Sequence, residues 1–322
     1  MQHDPNTLAP TRTGARPDSR APKRPACDDV GQMPTTLATD VTDWYAHAAR
    51  DLPWRAPDAG PWAVLVSEVM LQQTPVRRVL PAYEAWLRRW PTPAALAADE
   101  PGDAVRAWGK LGYPRRALRL HACARTIVAE HGGAVPCELD DLLALPGVGS
   151  YTARAVATFA FGLRHPVVDT NVRRVVARAL HGRGEAGPPA TGRDLAEVTA
   201  LLPADAGEAA RFSVAVMELG ALVCTARGPR CGECPLIARC AWNRAGRPEY
   251  SGPRVRPQRF AGTDRQVRGL LLDVLREGPG PVTRTALDAV WSEPVQRERA
   301  LGALLADGLI HRLPDGRYAL PR

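Results

Sequence analysis

Residues 143–162 read LALPGVGSYTARAVATFAFG, two helical stretches joined by the four-residue turn PGVG. Gly147 and Gly149 let the backbone reverse sharply, since glycine reaches conformations other residues avoid. The first amides of the second helix then lack intrahelical acceptors and face outward, at the positive end of the helix dipole. That geometry suits a phosphate and predicts a sequence-independent clamp on a nucleic-acid backbone. Standing alone, the segment would read as an ordinary αα-hairpin.

The neighbouring segments make it more than that. After the hairpin comes HPVVDTNVRRVVARAL, residues 165–180. Val172, Val175, Val176 and Ala179 recur at i, i+3, i+4 and i+7, the buried stripe of a helix. Arg173, Arg174 and Arg178 fall towards its other side. Asp169 and Thr170 precede it, and an Asp there is ordinarily an N-cap worth ~1 kcal/mol. Upstream, WAVLVSEVMLQQTP (62–75) places Glu68 among eight apolar residues. A helix apolar nearly all round is buried, and a buried carboxylate is costly unless paired or protonated. Two readings stay open: a structural carboxylate bonded to a neighbouring helix, with Gln72 in the network, or an acid kept protonated by its surroundings.

Downstream, CTARGPRCGECPLIARC spaces Cys224, Cys231, Cys234 and Cys240 as x6, x2 and x5. Four thiolates so close can wrap a cubane iron–sulfur cluster or a tetrahedral zinc, and spacing alone leaves both open. Arg227, Arg230 and Arg239 interrupt the loop and are expected to aim positive charge at phosphates. Cys27, Cys123 and Cys137 are scattered and read as free thiols. Seven cysteines so distributed are not a secreted disulfide framework.

Lys and Arg outnumber Asp and Glu by 42 to 34, for a net charge of +8, which favours a polyanionic partner without proving one. No apolar run approaches the ~20 residues of a membrane span, and residues 1–38 hold no hydrophobic segment. Those residues read as a disordered basic tail. A short helix is expected at 40–50, ended by LPWR at 52–55. Helices then follow over 62–73, 76–89, 93–98, 101–109, 114–131 and 138–144, and again over 171–181, 191–202 and 207–222. The Pro-, Gly- and Arg-rich 245–262 reads as a linker. Three short helices (264–277, 283–291, 294–306) and a hairpin turning at Pro314-Asp315-Gly316 predict a winged-helix-like module over 263–322. The fold class is all-α.

Taken in order, LPWR, SEVMLQQTPV, LGY, PGVGSYTA, VVDTNVRRV and the four-cysteine loop resemble the adenine DNA glycosylase family of the helix-hairpin-helix (endonuclease III) superfamily. The resemblance covers about residues 40–242. It implies a six-helix barrel (about 60–164) and an iron–sulfur domain (about 39–59 plus 165–244) facing each other across a cleft. It also implies a [4Fe-4S] cluster on the four cysteines. The implied substrate is duplex DNA with adenine opposite guanine or 8-oxoguanine. The implied enzyme is a monomer working at the cytoplasmic nucleoid, with no membrane partner.

The resemblance makes Glu68 the acid that protonates the adenine ring, its pKa raised by burial, and Asp169 the ionised carboxylate that stabilises the cationic sugar. Tyr151 stands where bifunctional relatives carry a Schiff-base lysine, so strand cleavage is not expected. Tyr151 and Asn171 match positions beside the sugar and Asp169, and Trp54 and Arg55 match the adenine pocket. Gln72, Gln73 and Tyr113 match elements that probe or wedge the stack. Two departures stand out. Val214 replaces an expected polar side chain, and the short segment after Cys240 cannot hold the larger nudix-like domain that helps read 8-oxoguanine. The smaller module would bind DNA or another partner.

Overall fold

The computed structural model describes residues 33–250, 252 and 260–322. Most of the expected tail and the middle of the expected linker lie outside these residues. The described residues are mostly helical. Helix α1 spans Met33–Ala48, and a single 3-10 turn at Pro53–Arg55 follows. Next come α2 (Pro61–Leu71), α3 (Val76–Arg89), α4 (Pro93–Ala98), α5 (Pro101–Trp108), α6 (Arg115–Glu130), α7 (Leu139–Ala144) and α8 (Ser150–Phe161). A second group holds α9 (Thr170–Ala179), α10 (Thr191–Leu201), α11 (Ala206–Leu222) and the single turn α12 (Ala241–Arg244). The C-terminal module adds α13 (Asp264–Glu277), α14 (Arg284–Asp288), α15 (Pro294–Ala306) and the antiparallel ribbon β1 (His311–Arg312) and β2 (Tyr318–Ala319).

The expected boundaries shift in three places. Helix α1 begins at Met33, so residues 33–38 of the expected tail are helical, with Leu37 and Ala38 buried. Helix α2 stops at Leu71, and Gln72 and Gln73 leave it in extended and left-handed conformations (Gln73 φ 55°). Helix α14 ends at Asp288, three residues early.

Two apolar cores organise the chain. In the first, α2 lies against α3, α6 and α8, which explains why it is apolar on every side. Its filling is aromatic: Trp86 meets Trp90 edge-on at 4.5 Å and Trp108 at 5.6 Å. Trp62 donates its indole N–H to the Trp90 carbonyl at 3.0 Å. The second core joins α1 to α9, α10 and α11 through Val41, Phe212, Val216 and Leu219, with the predicted stripe Val172, Val175, Val176 and Ala179 facing it. The C-terminal module has no separate core. Val267, Leu271, Leu275, Leu301 and Leu304 belong to the same apolar cluster as the tryptophans.

Truncating Trp86 to alanine should therefore cost ~3–5 kcal/mol of unfolding free energy, the usual range for a fully buried large aromatic. Urea denaturation of the full chain measures it, and a loss below ~1 kcal/mol would mean the tryptophan cluster does not hold this core.

Candidate active site

Between the two cores lies a cleft of about 1260 Å³. Glu68 enters it from α2, Tyr151 from the start of α8, Asp169 and Asn171 from the start of α9, and Trp54 and Arg55 from the 3-10 turn. Hairpin and helix cap thus bring together residues a hundred positions apart.

Glu68 is only 6 % exposed. Burial pushes its carboxyl from the ordinary 4.5 up to about 7, the Tyr151 hydroxyl opposes this by hydrogen bonding, and the negative charge of Asp169 adds to it. Tyr151 is itself held well above the usual phenol range, chiefly by burial, and remains an O–H donor. Its hydroxyl also lies 3.9 Å from the Met217 sulfur. Gln72 does not join Glu68 as the structural reading expected; its amide donates to Thr152 Oγ1 at 3.2 Å.

Asp169 caps α9, its Oδ1 accepting from the Val172 amide at 2.7 Å, while its Oδ2 accepts from Asn171 Nδ2 at 2.7 Å. Burial raises its pKa and these donors lower it. With both oxygens accepting, the group is built to be a carboxylate. Asn171 is fixed in turn by Arg174 Nη2, 2.7 Å from its Oδ1. Helix α11 presses on this cap at Gly220, where a Cβ would stand 2.7 Å from that of Asn171. Arg174 and Arg178, expected away from the buried face, are 8 % and 3 % exposed and donate to carbonyls of the cysteine segment. Their charge serves the fold, because the chain between α11 and α12 leaves carbonyls that no helix satisfies.

A second buried carboxylate escaped the sequence reading. Glu218, 0 % exposed in α11, accepts from Arg50 Nε at 2.7 Å and Nη2 at 2.6 Å, and from Arg55 Nη2 at 2.9 Å. Burial acts to raise it, but the two guanidiniums prevail and hold it at about 2. Arg55 Nη1 is buried with no hydrogen-bond partner among the described residues. Val214, expected to leave this wall apolar, does so, yet Glu218 one turn on makes it polar. Trp54 serves both expected readings, lining the cleft while packing edge-on against Tyr83 at 5.1 Å.

The lip of the cleft is strained. Gln73 and Tyr113 have φ of 55° and 48°, and both are exposed. Such conformations cost a side-chain-bearing residue on the order of 1–3 kcal/mol and persist only when neighbours enforce them. Arg116 enforces both. It donates to the carbonyls of Val69, Gln72 and Gly112 and to Thr74 Oγ1, with the Tyr113 ring 5.5 Å from its guanidinium. Tyr113 stands outside the cleft lining. In the hairpin, Gly147 has φ 80° and a Cβ there would stand 2.7 Å from that of Arg119, so the turn requires glycine. Gly149 has φ −100° and open space around it; contrary to expectation its part is not to turn the chain, and α8 begins there with no side-chain cap.

Cys224, Cys231, Cys234 and Cys240 are part-buried free thiols. Cys234 feels the charges of the other three. Arg178 donates to Cys224 Sγ at 3.5 Å, and Cys240 Sγ donates to the Arg178 carbonyl at 3.5 Å. Among the described residues no three His, Cys, Asp or Glu converge as ligands of one metal ion. Four cysteine thiolates in one short loop are a donor set that a cubane iron–sulfur cluster or a tetrahedral zinc could each accept. Arg230 and Arg239 do not face outward free; they pair with Glu233 at 3.0 Å and Asp40 at 3.2 Å. Cys123 is buried, its thiol pushed up to about 12.

Residues 66–200 match the family described as HhH-GPD superfamily base excision DNA repair protein. The adenine DNA glycosylase of Mycobacterium tuberculosis is 60% identical over 284 residues, covering 88% of this chain and 93% of its own length. The chain belongs to the adenine DNA glycosylase family. Fold and scaffold extend wider than that family: a thymine-DNA glycosylase of Aeropyrum pernix is 37% identical, over 66% of this chain and 96% of its own. The solved structure of a thermostable thymine-DNA glycosylase superposes with a TM-score of 0.60 at 25% identity, over 66% of this chain and 97% of that one. The Mycobacterium tuberculosis relative thus matches 88% of this chain, against 66% for the Aeropyrum pernix one.

Glu68 also makes stability depend on pH. Its folded pKa lies above its unfolded value, so its contribution is fully present below about 4.5 and is lost as pH rises through about 7. Relative to Glu68→Gln, the native protein should lose about 3 kcal/mol between pH 4.5 and 8, read by urea denaturation at each pH. Parallel profiles for the two proteins would show Glu68 ionised throughout.

Proposed function

We propose that the protein excises adenine mispaired with guanine or 8-oxoguanine in duplex DNA by hydrolysing the N-glycosidic bond, as a monofunctional glycosylase acting as a monomer at the cytoplasmic nucleoid. The observation that carries this is one cleft holding two carboxyl groups in opposite states: Glu68 poised near neutrality by burial, Asp169 with both oxygens accepting. Separated protonation states of this kind are what acid-assisted glycosidic cleavage requires.

A base inside a duplex is out of reach, so the adenine must leave the stack and enter the cleft. There Arg55, oriented by Glu218, offers its unpaired Nη1 donor to a purine acceptor, and Trp54 walls the pocket. Glu68 gives its proton to a ring nitrogen of the purine. The C–N bonding pair departs with the protonated base, leaving an oxocarbenium-like sugar. Asp169, held by Val172 and Asn171, stabilises that cation until water adds. Tyr151 cannot form a Schiff base, and the chain's two lysines, Lys23 and Lys110, lie outside the hairpin, so an abasic site is the product. The uncapped amides at the start of α8 hold a backbone phosphate. Cys224, Cys231, Cys234 and Cys240 would hold a [4Fe-4S] cluster, which when bound would supply electron-transfer chemistry.

One assay tests the reading: incubate the protein with A:8-oxoG, A:G and T:G duplexes and measure base release and strand breaks before and after alkali. Adenine release with breaks only after alkali is expected. Thymine release would move the substrate to that of the Aeropyrum pernix relative. Glu68→Gln should lower single-turnover adenine release by at least ~10³-fold with duplex affinity within about threefold, because only the proton donor is lost. In the native enzyme the rate should fall as pH rises past about 7, as Glu68 gives up its proton; a flat profile to pH 9 would remove Glu68 as the acid. Duplex affinity should fall steeply and linearly in log–log plots against salt, on the order of tenfold or more between 50 and 200 mM.

A further inference from the structure

The loop that carries Tyr113 is gripped from the C-terminal module. At its start, Lys110 Nζ lies 3.6 Å from Asp273 Oδ2 in α13. At its end, Arg115 Nη1 lies 3.2 Å from Asp307 Oδ1, just past α15. Each acid is pinned from its own side as well, Asp273 by Arg276 at 3.3 Å and Asp307 by Arg268. Immediately before the loop a reciprocal latch joins α5 to α13. Arg106 Nη1 donates to the carbonyls of Leu275 at 3.2 Å and Gly278 at 2.9 Å, and also to that of Arg276, satisfying the last turn of α13. Arg276 Nε donates back to the Val105 carbonyl at 3.0 Å. The Gly102 amide adds a bond to the Pro321 carbonyl at 2.8 Å.

Magnitudes decide which contacts matter. Lys110 and Arg115 are 80 % and 54 % exposed, so solvent screens each of those pairs and each contributes little. The latch is another matter: Arg276 is 10 % exposed, and its neighbours Leu271 and Leu275 share a core with Val105, Trp108 and Leu111. Truncating either latch arginine leaves part-buried carbonyls unpaired. Within the module, the arginines around α15 are spent on local acids. Arg299 holds Asp264 at 2.6 Å, Arg297 holds Asp288 at 2.8 Å, and Arg284 reaches Asp288 and Glu298. A reader of DNA would leave such cations unpaired for phosphates.

We propose that the C-terminal module is a buttress for the Tyr113 loop: Arg106 and Arg276 are positioning residues that hold this left-handed loop ready to enter the base stack. The module thereby promotes extrusion of the adenine and leaves bond cleavage untouched. This rests on the reading of Tyr113 as a wedge, and the test separates the two ideas.

The probe is an A:G duplex with 2-aminopurine beside the adenine, whose fluorescence rises on unstacking, mixed with full-length protein by stopped flow. Arg106→Met should slow the rise about tenfold, Tyr113→Ala should slow it at least as much, and the double variant should be no slower than Tyr113→Ala alone, since coupled residues are not additive. The pH limb of single-turnover excision should stay near 7 in Arg106→Met. Multiplying losses, or an unchanged rise in a folded Arg106→Met protein, overturns the buttress. An unchanged rise in Tyr113→Ala overturns the wedge, and the buttress with it. Asp273→Asn/Asp307→Asn keeps the shape of two part-buried side chains and guards against misfolding: a loss of about threefold, absent in the Tyr113→Ala background, supports the proposal, and no loss in either background opposes the ion pairs' share in it.

Discussion

The energetic cost of a charge away from water governs this site. Helix α2 is enclosed by α3, α6 and α8, and Glu68 sits where ionisation would put an anion among apolar side chains. The carboxyl therefore keeps its proton up to about 7 rather than the ordinary 4.5. The same enclosing helices that make the core make the acid. A carboxyl at the identical spot on a solvated helix would be ionised at neutral pH and useless as a donor.

Glu218 shows the opposite solution to the same problem. It is more deeply buried than Glu68, yet two guanidiniums hold it at about 2. The cleft thus contains one carboxyl without a cationic partner at hydrogen-bond distance and one with two. Asp169 stands between these extremes, raised by burial and restrained by a helix amide and an amide side chain. Three acids, three environments and three protonation tendencies come from packing alone.

What the sequence could disclose follows from locality. The helical stretches, the stripe on α9, the cap at Asp169 and the order of motifs are local patterns, and they appear in the structure within a few residues of where the pattern puts them. Glu68 could be singled out because its flanks were all apolar. Glu218 in VAVMELGALV has the same signature and was legible by the same argument; only its arginine partners, more than 160 positions away, were not. Arg116 had no local signal, since in LGYPRRALRL it reads as one surface arginine among several, and its five acceptors are gathered by tertiary folding. The burial of Arg174 and Arg178 was missed for a related reason: periodicity locates a helix face but says nothing of an irregular segment folding over it.

The cleft's two walls belong to different cores, and this divides the chemistry. Glu68 is rooted in the aromatic core through α2, while Asp169 is rooted in the other core through α9. Neither core alone sets the gap between them; α8 against α11, and Arg50 and Arg55 on Glu218, span it. A half-open molecule would retain an intact acid and an intact carboxylate at the wrong separation, and a sugar in it would meet one without the other. The separation of the two carboxyl groups is thereby a property of how the cores dock, and a substitution that loosens the docking would alter it while leaving both groups intact.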